Sequence, residues 1–303
     1  MAPPPPWQTP NGWFCYHHLH LLLAVATLGV CFAGGGLPLR SAPLLVRRTA
    51  TAYLVFITCI AFVQAIFWDN IGSRIGIREF NPAKVTTTGG LGVSNELPLE
   101  EILWLFHHVA LAALCQLRVF DWVPPRRSTS VVFSKGSYLA VCAVLTATFA
   151  AGVWALVISV ASSVKCLGLI AAFFTPIWLL IFILGSPLLP RHGPRFLLGW
   201  LLPSATTVLI DLLGQHQGVW RFPAAFLSRI EYGYLKVDIV LVYTVSTFAV
   251  TGTGAVLLAA AEELVAARDA AAPEPSLIDV MMMRRVSGGA AGEARSTRTT
   301  KAA

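Results

Sequence analysis

The chain has 303 residues, of which 56% are hydrophobic and only 12% charged, with a mean hydropathy of +0.69. A soluble domain carries about 25% charged residues, so too few solvated groups are present to cover a water-exposed surface. This excludes a cytosolic enzyme, a disordered chain and a secreted disulfide scaffold. The net charge of +7 implies no nucleic-acid partner, because the basic residues lie mostly in short loops and a small-residue tail.

The opening Met1-Ala-Pro-Pro-Pro-Pro lacks the basic n-region of a signal peptide and predicts a short extended stub over 1–15. Seven apolar blocks follow: about His20–Leu37, Tyr53–Trp68, Leu97–Leu117, Tyr138–Val160, Leu167–Leu184, Phe196–Leu213 and Val237–Ala260. Blocks of roughly 20 apolar residues can cross a bilayer as helix. Gly34-Gly-Gly, Pro124-Pro125 and Pro187–Pro190 mark turns between them. The fold class expected is all-α, a polytopic membrane protein of about seven transmembrane helices over 16–262. Residues 263–303, rich in Ala, Gly, Ser, Thr and Arg, are expected to form a flexible tail. The six cysteines show no CxxC and mostly fall in apolar runs, as small core residues do.

Arg40, Arg47 and Arg48, then Arg126, Arg127 and Lys135, then Arg191 and Arg195 occupy alternate loops. With the tail they define one basic face, which the positive-inside rule makes cytoplasmic. Which membrane the chain occupies is open. The acidic residues near block ends, Asp69, Glu100, Glu101, Asp211 and Asp238, belong to the opposite face of an antiparallel bundle. Acids edging into apolar helices cost several kcal/mol unless they are paired or used.

A weak repeat runs through these residues, with halves at about 50–120 and 196–262. Its first copy reads Phe67-Trp-Asp-Asn70, a polar loop with Arg78, then Leu97-Pro-Leu-Glu-Glu101. Its second reads Leu209-Ile-Asp211, a polar loop with Trp220, then Leu235-Lys-Val-Asp238. Repeats in membrane proteins tend to place a site at their interface.

Acids in the first turn behind Pro98 suit a helix dipole, which is the ordinary structural account of Glu100 and Glu101. The chemical account starts from Asp69 at the end of the preceding block, facing the same pair. A carboxyl in apolar surroundings or beside another carboxylate retains its proton, and such an acid can protonate a carbon–carbon double bond. Trp68, Trp104, Phe106 and Trp220 surround the acids in sequence, and aromatic faces stabilise cations. An interfacial aromatic belt is the competing account of these rings. Glu101 and His108, seven apart on one helical face, would be a metal pair, but no second helix offers a Glu-x-x-His match. Gly90-Leu-Gly92 and Gly252-Thr-Gly254 fail the strand–turn–helix context of a dinucleotide site. No nucleotide, metal or other cofactor is therefore expected.

Trp68-Asp-Asn70, Pro98-Leu-Glu-Glu101 and Asp211 with Trp220 nine residues later resemble the integral-membrane lycopene β-cyclases. These occur as paired small subunits in some bacteria and archaea, and as the N-terminal domain of the fungal bifunctional cyclase–phytoene synthase. The likeness covers roughly residues 15 to 262. It implies an isomerase of carotenoid or terpenoid biosynthesis that acts on a hydrophobic isoprenoid in the bilayer, alongside other isoprenoid-pathway enzymes. Glu100 and Glu101 would be the catalytic acids, with Asp69 and Asp211 tuning them or acting as base. Trp68, Asn70, Trp104, Trp220 and Asp238 would line the substrate. The sequence departs from the family pattern in two places. Lys236, Asp238 and Ile239 replace a second Pro-x-Glu-Glu, and Arg78 stands where an aromatic is expected. A terpenoid cyclase acting on another prenyl substrate, and a non-enzymatic transporter or receptor, are the alternatives.

Overall fold

The computed structural model describes residues 14–64, 77–85, 98–126, 133–158, 162–223, 231–232 and 235–270. Seven helices dominate them: α1 Tyr16–Phe32, α2 Leu44–Gln64, α3 Leu99–Trp122, α4 Lys135–Ile158, α5 Ser162–Gly185, α6 Leu189–His216 and α7 Val237–Ala270. All but α1 are long and apolar enough to cross a membrane. The protein is a multi-pass, all-α membrane protein.

Burial is graded across the bundle. In α3 and α7, 72% and 67% of the spanning window is buried, whereas α4 has 6%. The first two are therefore the central helices, and α4 is an outer helix packed on α5. The main core joins α2, α3 and α7 through Tyr53, Ile57, Val109, Ala113, Leu117 and Leu258. The small-residue half of α7 allows close approach: a Cβ at Gly254 would lie 2.6 Å from the Tyr53 ring. Tyr53 turns its hydroxyl along α7 to donate to the Val250 carbonyl at 3.0 Å.

Three helices extend seven or more residues beyond the apolar blocks at one end. Helix α2 starts at Leu44, directly after Pro43; α6 starts at Leu189, with Pro190 in its first turn; α7 runs to Ala270. The last two extensions have one cause. Arg191, His192 and Arg195 on α6 meet Glu262 and Glu263 on α7, with Arg191–Glu263 at 2.9 Å and His192–Glu263 at 3.1 Å. Charges that read as loop and tail therefore lie within helices because they pair with each other. Residues 263–270, assigned above to the tail, are helical, and 271–303 fall outside the described residues. At the same end Arg118 donates to the Val30, Cys31 and Gly36 carbonyls. The first two are acceptors that the C-terminus of α1 leaves free, and the third belongs to the turn that follows it.

The opposite end holds the starts of α1, α3 and α7 and the ends of α2 and α6. Four two-residue strands lie there: β1 Glu79–Phe80, β2 Trp220–Arg221, β3 Glu231–Tyr232 and β4 Leu235–Lys236. β1 pairs antiparallel with β2, Glu79 opposite Arg221 and Phe80 opposite Trp220, and β3 pairs with β4. In the sequence repeat Arg78 is equivalent to Trp220, so Glu79 is equivalent to Arg221. The two equivalent positions face each other, joined by an ion pair at 2.7 Å. This is the register a local twofold through that pair would require.

Candidate functional site

The segment 77–85 is tied down on both sides. Asn81 donates its backbone N–H to Val219 and its side-chain amide to Gly218, both at 2.9 Å. The Lys84 ammonium donates to the Gln217 carbonyl at 3.0 Å. Tyr16, at the start of α1, donates its backbone N–H to the Lys84 carbonyl at 3.1 Å. Gly218 has φ +65, a conformation that favours glycine, and it turns the chain from α6 into β2. These anchors place Arg78 over the end of the bundle.

Arg78 bridges the two halves. One guanidinium nitrogen donates to Glu101. The other donates to the Tyr243 hydroxyl at 2.7 Å and lies 3.6 Å from the Asp211 carboxylate. Glu101 also accepts the Tyr16 hydroxyl. Asp211 accepts the Tyr243 hydroxyl at 2.8 Å, the Trp220 indole N–H at 3.1 Å and the Gln215 amide at 2.6 Å. Tyr16 and Asp211 have no exposed surface, and Glu101 keeps 5%. Burial works against the charge of Arg78, yet Glu101, Tyr243 and Asp211 outweigh it and hold its pKa above the usual guanidinium value.

Aromatic rings wall this network. Trp104 meets Trp220 edge-on at 5.4 Å, and Tyr16 lies 5.1 Å from Trp220 and 6.3 Å from Trp104. The guanidinium itself sits 5.2 Å from the Trp220 ring and 4.9 Å from Phe222. Trp104 is 2% exposed and Trp220 fully buried. Neither ring is part of an interfacial belt; both are interior walls.

The structure thus brings Glu101, Asp211, Trp104 and Trp220 into one cluster. Glu100 and Asp238 are buried at the same end; Glu100 lies close to His20, and Asp238 close enough to Cys166 on α5 to act on it electrostatically. The Glu101–His108 pair does not converge, since the His108 ring pairs with the Thr247 hydroxyl at 2.9 Å. Trp68, Asp69 and Asn70 lie outside the described residues. Sequence reasoning missed Tyr16 and Tyr243 altogether and met Arg78 only as a departure from a pattern. Arg78 shares with Arg74 and Lys84 the loop between two acid-bearing block ends, so its position there did not single it out.

Gly214 lets this arrangement close. A Cβ there would lie 2.5 Å from the Trp220 ring, a ring with no free space to retreat into. Gly214→Ala is expected to displace the indole from Asp211 and to destabilise the protein by about 1–3 kcal/mol, the usual cost of overpacking. Thermal unfolding in detergent with tryptophan fluorescence would measure it; an unchanged melting curve would show that Trp220 is not held in place. Comparison with protein-family models, with characterised proteins and with solved structures gave no match to this chain.

Proposed function

We propose that the protein is a membrane-embedded isomerase that protonates a linear isoprenoid and closes its end into a six-membered ring, lycopene end groups being the reference substrate. The observation that carries this reading is the buried set of two carboxylates sharing one guanidinium, walled by Tyr16, Trp104 and Trp220. Two carboxylates and one arginine sum to a negative charge, and an uncompensated charge in a low-dielectric interior costs several kcal/mol. A carboxyl group in a dry, aromatic-walled site is suited to act as a Brønsted acid.

In the reaction a first-half glutamate, Glu100 or Glu101, gives its proton to the terminal double bond and leaves a tertiary cation. The neighbouring double bond supplies the electron pair for the ring-closing carbon–carbon bond. Loss of a ring proton to a carboxylate then forms the new double bond and restores the acid. No atom is gained or lost overall. Asp211, sealed behind Trp220 and Tyr243, serves as the anionic partner that positions Arg78.

One observation favours the second reading, a cyclase for another prenyl substrate. The faces of Phe80, Trp220 and Phe222 are occupied by Arg78, so of the described rings walling the cluster, Tyr16 and Trp104 are the ones a carbocation can approach without meeting a guanidinium. Expression in a lycopene-accumulating bacterium with pigment and terpenoid analysis tests both. Red turning to yellow-orange is the result expected of a lycopene cyclase. Unchanged pigment with a new cyclic terpenoid supports the second reading, and no new product in a well-expressed membrane fraction overturns both.

A further inference from the structure

The arginines at the basic end of the bundle fall into two groups. Arg118 pairs with Asp121, and Arg191 and Arg195 pair with Glu263 and Glu262. Arg47 and Arg48, near the start of α2, are exposed, and among the described residues neither guanidinium has a hydrogen-bond or ion-pair partner. With Leu44, Thr51 and Ala52 they line a shallow groove of about 640 Å³. The Thr51 hydroxyl donates to the Arg47 carbonyl at 3.1 Å, so the two guanidinium groups are the uncommitted donors of the groove. At about 30 Å³ per water-sized group, it takes roughly twenty non-hydrogen atoms, room for a phosphodiester head group and its glycerol.

Helical spacing makes this groove the head of a longer stripe. Positions 44, 47, 48, 51 and 52 share one face of α2, and steps of three and four continue it through Val55, Cys59 and Phe62. These three side chains are exposed as well. The buried residues Val46, Tyr53 and Ile57 mark the other face, which packs on α3 and α7. With 21 residues α2 is about 31 Å long, close to the thickness of the hydrocarbon core. Its first turns therefore reach the head-group level, while Val55, Cys59 and Phe62 face acyl chains.

We propose that this face of α2 holds one anionic phospholipid, with its phosphate on Arg47 and Arg48 and an acyl chain along Val55, Cys59 and Phe62. A guanidinium at the edge of the hydrocarbon costs free energy unless its charge is met, and its planar fork matches phosphate oxygens. No acidic side chain lines the groove, so a choline head group would bring a further cation against two guanidiniums with no counter-charge. The apolar stripe selects a phosphate that carries a chain over a soluble one. The site lies at the opposite end of the bundle from the acid cluster and is independent of the reaction proposed there.

The test is native mass spectrometry of the full chain in micelles supplied with equal amounts of dioleoyl phosphatidylglycerol and dioleoyl phosphatidylcholine. The two lipids share their chains and differ in net charge. The one-lipid adduct of phosphatidylglycerol is expected to exceed that of phosphatidylcholine about tenfold, as two surface arginines favour an anionic head group. In the double variant Arg47→Gln, Arg48→Gln the two adducts should become nearly equal. Its melting in detergent should be unchanged, because neither side chain has a partner in the fold. Arg126→Gln, exposed at the same end, should keep the native preference. Equal retention of both lipids by the native protein would show an ordinary annular contact and overturn the proposal, as would a preference that survives the double substitution. An equal loss in Arg126→Gln would reduce the effect to diffuse surface charge and overturn it too. Displacement of the phosphatidylglycerol by an equal concentration of glycerol 3-phosphate would show a site for soluble phosphate and refute the lipid.

Discussion

Arg78→Met is expected to destabilise the protein by about 3–5 kcal/mol, the cost of leaving a buried charge without its partner. Glu101 and Asp211 would remain as two buried carboxylates with only neutral donors, Tyr16 on one side and Tyr243, Trp220 and Gln215 on the other. The triple variant Arg78→Met, Glu101→Gln, Asp211→Asn carries no charge in the cluster, so its stability should return close to the native value. Arg78→Lys should fall between the two. An ammonium keeps the charge but cannot span Glu101 and Tyr243 at once, as the planar fork of Arg78 does. Thermal unfolding of the detergent-solubilised protein, followed by size-exclusion recovery, reads all three. If Arg78→Met melts where the native protein does, the charge balance assigned to this cluster is wrong.

The second large effect concerns chemistry rather than folding. Glu101→Gln preserves shape and removes the exchangeable carboxyl proton, and the remaining Arg78–Asp211 pair is neutral. Stability should therefore hold while ring formation drops about 10²–10⁴-fold, the usual contribution of a general acid. Glu100→Gln, tested alone and with Glu101→Gln, assigns the donor between the two neighbours. Asp238→Asn should be milder, because the contacts of Arg78 run to Glu101, Tyr243 and Asp211. Cyclised product would be quantified at equal membrane expression. A dead Asp238→Asn beside two fully active glutamate variants would transfer the proton donor to the second half of the repeat.

Much of the architecture could be read directly. Each apolar block maps onto a helix, and the burial of Glu100, Glu101, Asp211 and Asp238 at one end follows from their places at alternate block ends. The boundaries were harder. Arg191 and Arg195 have the composition of a loop, and only the partners Glu262 and Glu263 on another helix make a helical conformation tolerable for them. Trp104 and Trp220 were equally consistent with an interfacial belt or a buried wall. A position near a helix end does not say whether a ring points outward or inward.

The sequence by itself determined the class of molecule, the seven helices found among the described residues, six of them long enough to span a membrane, and the end of the bundle where the acids collect. These are properties of consecutive residues: hydropathy sums locally, and an antiparallel chain alternates its ends. Only the tertiary structure decided that Arg78 is the centre of the cluster, and that Tyr16 and Tyr243 close it on either side. Those contacts join residues 85 and 165 positions apart, so they depend on how each helix is rotated against its neighbours. Between Ile239 and Ala261 helix α7 carries no charged side chain and mixes apolar with small residues around its circumference, and such a stretch shows no periodicity from which its inward face could be chosen. Packing makes that choice, through the close approach of Gly254 on α7 to Tyr53 on α2, with Tyr243 on the same helix turned toward Asp211.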